Sequence, residues 1–229
     1  PGPGKSRTDK FLHFFLLRLV SPPALLKTAS HDLSRFASCY GKRTKRGGFM
    51  VWFWYFLIYS FLGFLVEVAY VRLVGGVKRD RKCRLVLPIC PVYGLGALAI
   101  LLLPPLVQDS LPLLFPAAAL VCTAVEYVTG LFYEKVFRVS FWDYSHLPLN
   151  LGGRVCLLFA LSWGVLALLV LHVIHPAAAW LAARIPLWAF PPAVLATALD
   201  TLLTARLLRR TGDPNSLRWY ARLPRRRPA

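Results

Sequence analysis

From residue 50 onward the chain is a succession of long apolar stretches separated by short polar or basic ones. Five are long enough to be membrane helices: Val51 to Val74, Leu85 to Val107, Leu111 to Val136, Val155 to Ile174 and Pro186 to Leu208. A helix needs about 20 predominantly apolar residues to cross ~30 Å of hydrocarbon. Runs such as LLFALSWGVLALLVLHVI lack the alternation of a barrel strand, and lipid tolerates only helices or closed barrels as spanning structures. The pattern therefore predicts an all-α, polytopic membrane helix bundle of about five transmembrane helices, filling residues 50–208. Composition agrees: 57% of residues are hydrophobic and 17% charged, against about 45–50% and ~25% in soluble domains.

Three of these stretches enclose a carboxylate: Glu67, Glu126 and Asp200. A charge at the bilayer centre costs at least ~2.5–3.5 kcal/mol, so such groups face a bundle interior or a wet cavity. In the first stretch Ser60, Gly63, Glu67 and Tyr70 recur at helical spacing and form one small, polar stripe. That stripe is either a packing face on which Glu67 bonds a neighbouring helix, or the lining of a path. In the third stretch Glu126, Gly130 and Glu134 share a face, flanked by Thr123 and Tyr133. Glu126 must be protonated or paired there, with the basic first loop or Arg154 as the expected cationic partner. Glu134 falls near the interface beside Lys135. Asp200 adjoins a stripe of small residues (Ala193, Thr197, Thr201, Ala205) that lets helices approach closely. It is expected to face Glu67, Glu126 or a basic group.

The second stretch opens LPICPVYGLGALA. Pro88, Cys90, Pro91, Gly94 and Gly96 so close together fit a kinked helix start or a broken, re-entrant one. Irregular backbone at membrane depth survives only where it is buried or lines water.

Net charge is +18, from 28 basic and 10 acidic residues, which alone could suggest nucleic acid. Its distribution argues for the membrane surface. Arg72 to Arg84, then Lys135, Arg138 and Arg154, then Arg206 to Arg227 place positive charge on loop one, loop three and the tail, whereas loop two has only Asp109. With five spans these basic segments share a side, the positive-inside pattern. It predicts the N-terminus of span one outside and the C-terminus in the cytoplasm. Residues 209–229 then form a basic cytoplasmic tail on anionic headgroups, with no nucleic acid as partner. The leader 1–49 holds ten basic and two acidic residues. It breaks the charge rule, and span one begins directly after Met50, the single methionine. The leader is expected to be disordered or not part of the native protein.

The third loop, RVSFWDYSHLPLNLGGRV, is aromatic and polar. Trp142 and Tyr144 suit an interface, while Asp143, Ser145 and Asn150 supply turn and capping groups. It is either an ordered interfacial loop or part of a binding site. Ser145 and His146 are adjacent, a poor geometry for a hydrolase triad. His172 and His175 share a face at the end of span four. The five cysteines (Cys39, Cys83, Cys90, Cys122, Cys156) fit no zinc spacing and read as apolar fillers. No metal and no cofactor is expected.

Taken together, Gly63-x-x-x-Glu67 with Tyr70, PICPVYGLG (Pro88 to Gly96), VEYVTGLFYEKVF (Val125 to Phe137), FWDYSHLPLNLGGRVCL (Phe141 to Leu157), SWG (Ser162 to Gly164) and IHP (Ile174 to Pro176) resemble the bacterial membrane family catalogued as putative type IV ABC-transporter permeases. The resemblance covers roughly residues 53 to 205. Leu87 stands where family members commonly have glycine, and Asn150, Gly153, Cys156 and Leu157 match the family's N-x-x-G-x-x-C-L pattern with altered neighbours. The resemblance implies a permease component in the cytoplasmic membrane of a bacterium, working with a separate ATPase subunit. This chain has no Walker-type phosphate loop of its own. The residues expected to line a path are Glu67, Tyr70, Cys90, Tyr93, Glu126, Tyr127, Glu134, Trp142, Asp143, Tyr144, Ser145, Asn150 and Asp200. Five spans are few for a complete pore, so a homo-oligomer or a partner membrane protein is expected. Two other readings stay open: a non-transporting scaffold whose buried acids bind helices together, and a small intramembrane enzyme using Asp143, Glu134 and Ser145.

Overall fold

A computed structural model describes residues 48–74 and 83–218. The leader, most of the first loop and the end of the tail, with the expectations placed on them, lie outside the described residues. The elements are α1 (Gly48–Val74), α2 (Pro91–Leu101), a short α3 (Pro105–Gln108), α4 (Leu111–Phe137), α5 (Leu157–Leu169), a π-helical turn (Val170–Ile174), α6 (His175–Ala182) and α7 (Phe190–Thr211). Between α4 and α5 lies a two-stranded hairpin, β1 (Asn150–Leu151) against β2 (Val155–Cys156), antiparallel with Asn150 opposite Cys156.

Four helices are long and apolar enough to cross a membrane: Gly48–Leu73, Leu111–Phe137, Leu157–Ala182 and Leu187–Thr211. The chain is thus a multi-pass membrane protein of the all-α class, with almost no strand among the described residues. α5 and α6 make one span because the π turn joins them without a break. There the His175 N–H donates to Val170 O, five residues back. The span carries on eight residues past its expected end at Ile174, since His175 and Pro176, the first two residues of α6, do not interrupt the backbone.

Of the two expected forms of the second stretch, a kinked start or a broken one, the structure has the broken one. α2 has 11 residues, about 16 Å at 1.5 Å per residue, roughly half a bilayer. Cys83 to Cys90 approach it as bent, extended chain. Pro91 can start a helix but cannot continue one, because it lacks an N–H. The irregular part lies deep: the Cys90 N–H donates to Ser60 O at 2.8 Å, and Ser60 is near the middle of α1. Such backbone must find acceptors inside the protein. The Leu85 N–H donates to Thr204 Oγ1 (3.1 Å) and the Val86 N–H to Asp200 Oδ1 (2.8 Å), both on α7. The broken start is therefore held by polar groups of two neighbouring helices.

Close approach of α1 and α2 rests on two glycines that face bulk on the other helix. A Cβ at Gly63 would fall 2.2 Å from Cγ of Tyr93, and one at Gly94 would fall 2.2 Å from Ser60 Oγ. The core joins Tyr59, Ala97, Ile100, Leu114, Cys122 and Ala167, drawn from α1, α2, α4 and α5. A second cluster at the opposite end packs Phe137, Val139, Leu208 and Leu217.

Candidate functional site

Glu126 lies on the inward face of α4 and is 5% exposed. Its Oε1 accepts from the Tyr144 hydroxyl at 3.1 Å and its Oε2 from the Trp163 indole N–H at 2.9 Å. Both donors are uncharged; of the expected cationic partners, Arg154 pairs with Glu134 and most of the first loop lies outside the described residues. Tyr144 comes from the loop, which the chain reverses into after α4. Arg138 adopts a left-handed conformation (φ 56°) and donates its N–H to Glu134 O. The loop then folds inward, with the Tyr144 N–H on Gly153 O at 2.8 Å and the Tyr144 ring stacked on Phe159 of α5, centroids 4.5 Å apart.

Trp163 links this acid to the second one. Its ring lies 4.9 Å from that of Tyr93, and the Tyr93 hydroxyl donates to Glu67 Oε1 at 2.9 Å. Tyr70 also meets Phe159, edge to face with centroids 6.3 Å apart. Glu67, Tyr70, Tyr93, Glu126 and Tyr144 thus converge from α1, α2, α4 and the loop around two aromatic rings of α5. Tyr93 and Trp163 also wall a partly open cavity of about 50 Å³, otherwise apolar and lined by Tyr59, Gly63, Gly96 and Cys122 among others. Beyond it the Tyr59 hydroxyl and His175 Nδ1 are hydrogen-bonded at 2.8 Å.

The other expected residues fall into separate groups. Arg154, between the hairpin strands, is held by Glu134: its Nε and Nη2 both donate to Glu134 Oε2, at 2.9 and 2.5 Å. This bond holds the guanidinium proton more firmly than usual. The Arg154 guanidinium also lies 5.6 Å from the Tyr127 ring, and its carbonyl accepts from the Trp142 indole N–H at 2.8 Å. Asp143 Oδ1 accepts from the Ser145 backbone N–H at 2.9 Å. That bond holds the carboxyl below the usual carboxylate range. Asn150 braces the loop, donating to Ser145 O and Leu147 O and accepting from the Gly153 N–H. Gly153 suits its place twice over: φ is +68°, and a Cβ there would fall 2.7 Å from Asp143 Oδ1. The loop is ordered, and Asp143, Ser145 and Asn150 bond within it.

Asp200 is 3% exposed and lies apart from both groups. It faces the Val86 N–H rather than another acid. Cys90 caps α2 and touches Cys83, their sulfurs 3.2 Å apart. His172 and His175 do not meet on one ligand: His172 Nδ1 bonds Leu168 O, while His175 turns to Tyr59.

The residue that sequence reasoning missed is Trp163. A signal existed, since a tryptophan in mid-span needs an acceptor for its N–H, and an unpaired glutamate in mid-span needs a donor.

The family described as Putative ABC-transporter type IV matches residues 54–205. The chain belongs to that family. The matched region contains Glu67, Tyr93, Glu126, Tyr144, Trp163 and Asp200, so the whole candidate site lies inside the family's shared part. No curated protein and no solved structure matches the chain. Family and spans together make this a transporter-related membrane protein. The family is not an enzyme class.

Proposed function

We propose that the chain is the membrane permease component of a transporter, with Glu67 and Glu126 on a polar path through the bundle. The single observation behind this reading is the setting of Glu126. A carboxylate buried in mid-span, beside a cavity, takes one hydrogen bond from a helix and one from a loop. A loop-borne donor can be withdrawn while the spans stay packed, and a carboxylate so exposed is a binding group for a cation, a proton or a polar solute. Glu67 repeats the arrangement through Tyr93. The protein carries out no chemistry of its own. A separate ATPase subunit supplies the energy, and a second copy or a partner membrane protein completes the pore. Loop one, loop three and the tail face the cytoplasm of a bacterial plasma membrane.

The test is flux of a panel of inorganic ions and small polar solutes into proteoliposomes, comparing wild type with Glu126→Gln. Glutamine keeps the shape and an acceptor but not the charge. Flux of the transported species is expected to fall tenfold or more while melting in detergent stays within a few degrees. Equal flux in both would remove Glu126 from the path.

A scaffold without transport is the second reading, favoured by the acids outside this cluster. Glu134 is occupied by Arg154 and Asp200 holds backbone, both consistent with acids that bind elements together. It expects Glu126→Gln to change assembly or stability, with no flux in either protein.

A further inference from the structure

Cys83 and Cys90 bracket the bent approach to α2. Their sulfurs lie 3.2 Å apart in a thiol–thiol hydrogen bond, and both side chains are buried, at 8% and 3% exposure. We propose that this pair is a modification site, which closes to a reversible intramolecular disulfide by exchange with a low-molecular-weight disulfide. The inference is independent of the transport reading.

Three observations carry it. First, the two sulfurs touch although they stand seven positions apart in the chain, and a disulfide requires a further approach to about 2.0 Å. Second, the intervening backbone is pinned from outside. Leu85 and Val86 are held by Thr204 and Asp200, and Cys90 by Ser60 O. The thiols are thus kept together by contacts that do not involve them, which raises the effective concentration of each toward the other. Third, residues 83–90 are not helical, so a reagent reaches the sulfurs through local opening rather than by melting a span. The other described cysteines have different surroundings: Cys122 donates to Gly96 O, and Cys156 lies in β2.

The exchange balances without a metal. One thiol loses its proton, and its sulfur attacks the external disulfide, forming a mixed disulfide and releasing one small thiol. The second cysteine then loses its proton and attacks the mixed disulfide, closing the Cys83–Cys90 bond and releasing the second small thiol. Two electrons pass to the external disulfide, and the two cysteine protons end on the two small thiols. The product closes an eight-residue ring that ends at the N-terminus of α2, three residues before Tyr93.

The test uses the full chain in membrane vesicles, with Cys39, Cys122 and Cys156 replaced by serine or alanine. Vesicles are equilibrated with oxidised glutathione or with dithiothreitol, denatured in detergent and labelled with a maleimide polymer that shifts the gel band. The reduced protein should carry two labels and the oxidised protein none, with the band at monomer size and both labels restored by dithiothreitol. Cys83→Ser and Cys90→Ser should each retain a stable glutathione adduct, because no second thiol resolves it. Mass spectrometry of the unmutated protein should find the Cys83 and Cys90 peptides linked, a readout that needs no variant to fold. Two labels after oxidation, a stable glutathione adduct on the two-cysteine protein, or a linkage between chains would each overturn the proposal.

Discussion

Glu126 and Asp200 carry the same signature in the sequence, a carboxylate set deep in an apolar span, and the structure gives them different work. Glu126 accepts from two side chains, one on a helix and one on a loop. Asp200 accepts from a main-chain N–H in the bent segment that precedes α2. The difference lies in what each would leave behind. Without Glu126, Tyr144 and Trp163 lose an acceptor but keep their ring packing against Phe159 and Tyr93. Without Asp200, a backbone group at membrane depth has no substitute, because the segment around it is not helical. A buried acid in a span is therefore not evidence of a path until its partner is known.

The comparison can be broken by substitution. The largest structural effect is expected for Asp200→Ala. An orphaned buried polar group costs on the order of 1–3 kcal/mol, so melting in detergent should fall clearly. Protease cleavage near Arg84 should rise with it. An unchanged melting point would mean that Val86 finds another acceptor, and Asp200 would return to the path.

Trp163→Phe sharpens the other side. It removes the N–H but keeps most of the ring against Tyr93. Hydrogen bonds between membrane helices average about 0.6 kcal/mol and reach about 1.7, so the stability loss should be small. Flux is expected to drop if Glu126 lies on the path and to hold if Glu126 is only glue.

The smallest effect belongs to Asp143. The Ser145 N–H lowers its carboxyl below the ordinary value of 3.8. A depressed folded-state value means that the charged form supports the loop. That support is complete above 3.8 and fades as pH falls through the lowered value. Trp142 fluorescence should hold steady from neutral pH down to about 4, then change at lower pH in wild type but not in Asp143→Asn.

The spans were legible because length and apolarity are local properties. Leu111 to Val136 was expected against an observed Leu111–Phe137, and Val51 to Val74 against Gly48–Val74. Pro88, Pro91 and the glycines after them marked an irregular start to the second stretch, without deciding between a kinked helix and a broken one. Partners were harder. Glu126 and Tyr144 were both named, yet their bond joins a helix to a loop 18 residues on, and no periodicity records it. Arg154 was offered to Glu126 and went to Glu134. Asp200 was least legible, since its partner is a main-chain N–H, which every residue except proline possesses.

The widened turn at Val170–Ile174 sets the azimuth of everything after it. Successive residues of a regular helix are about 100° apart around the axis, so one surplus residue in a turn swings the following side chains by roughly that angle. This swing brings His175 around to Tyr59 and leaves Val173 facing outward. Removing a single residue there would restore a regular ladder, keep the span long enough and equally oily, and still detach α6 from α1.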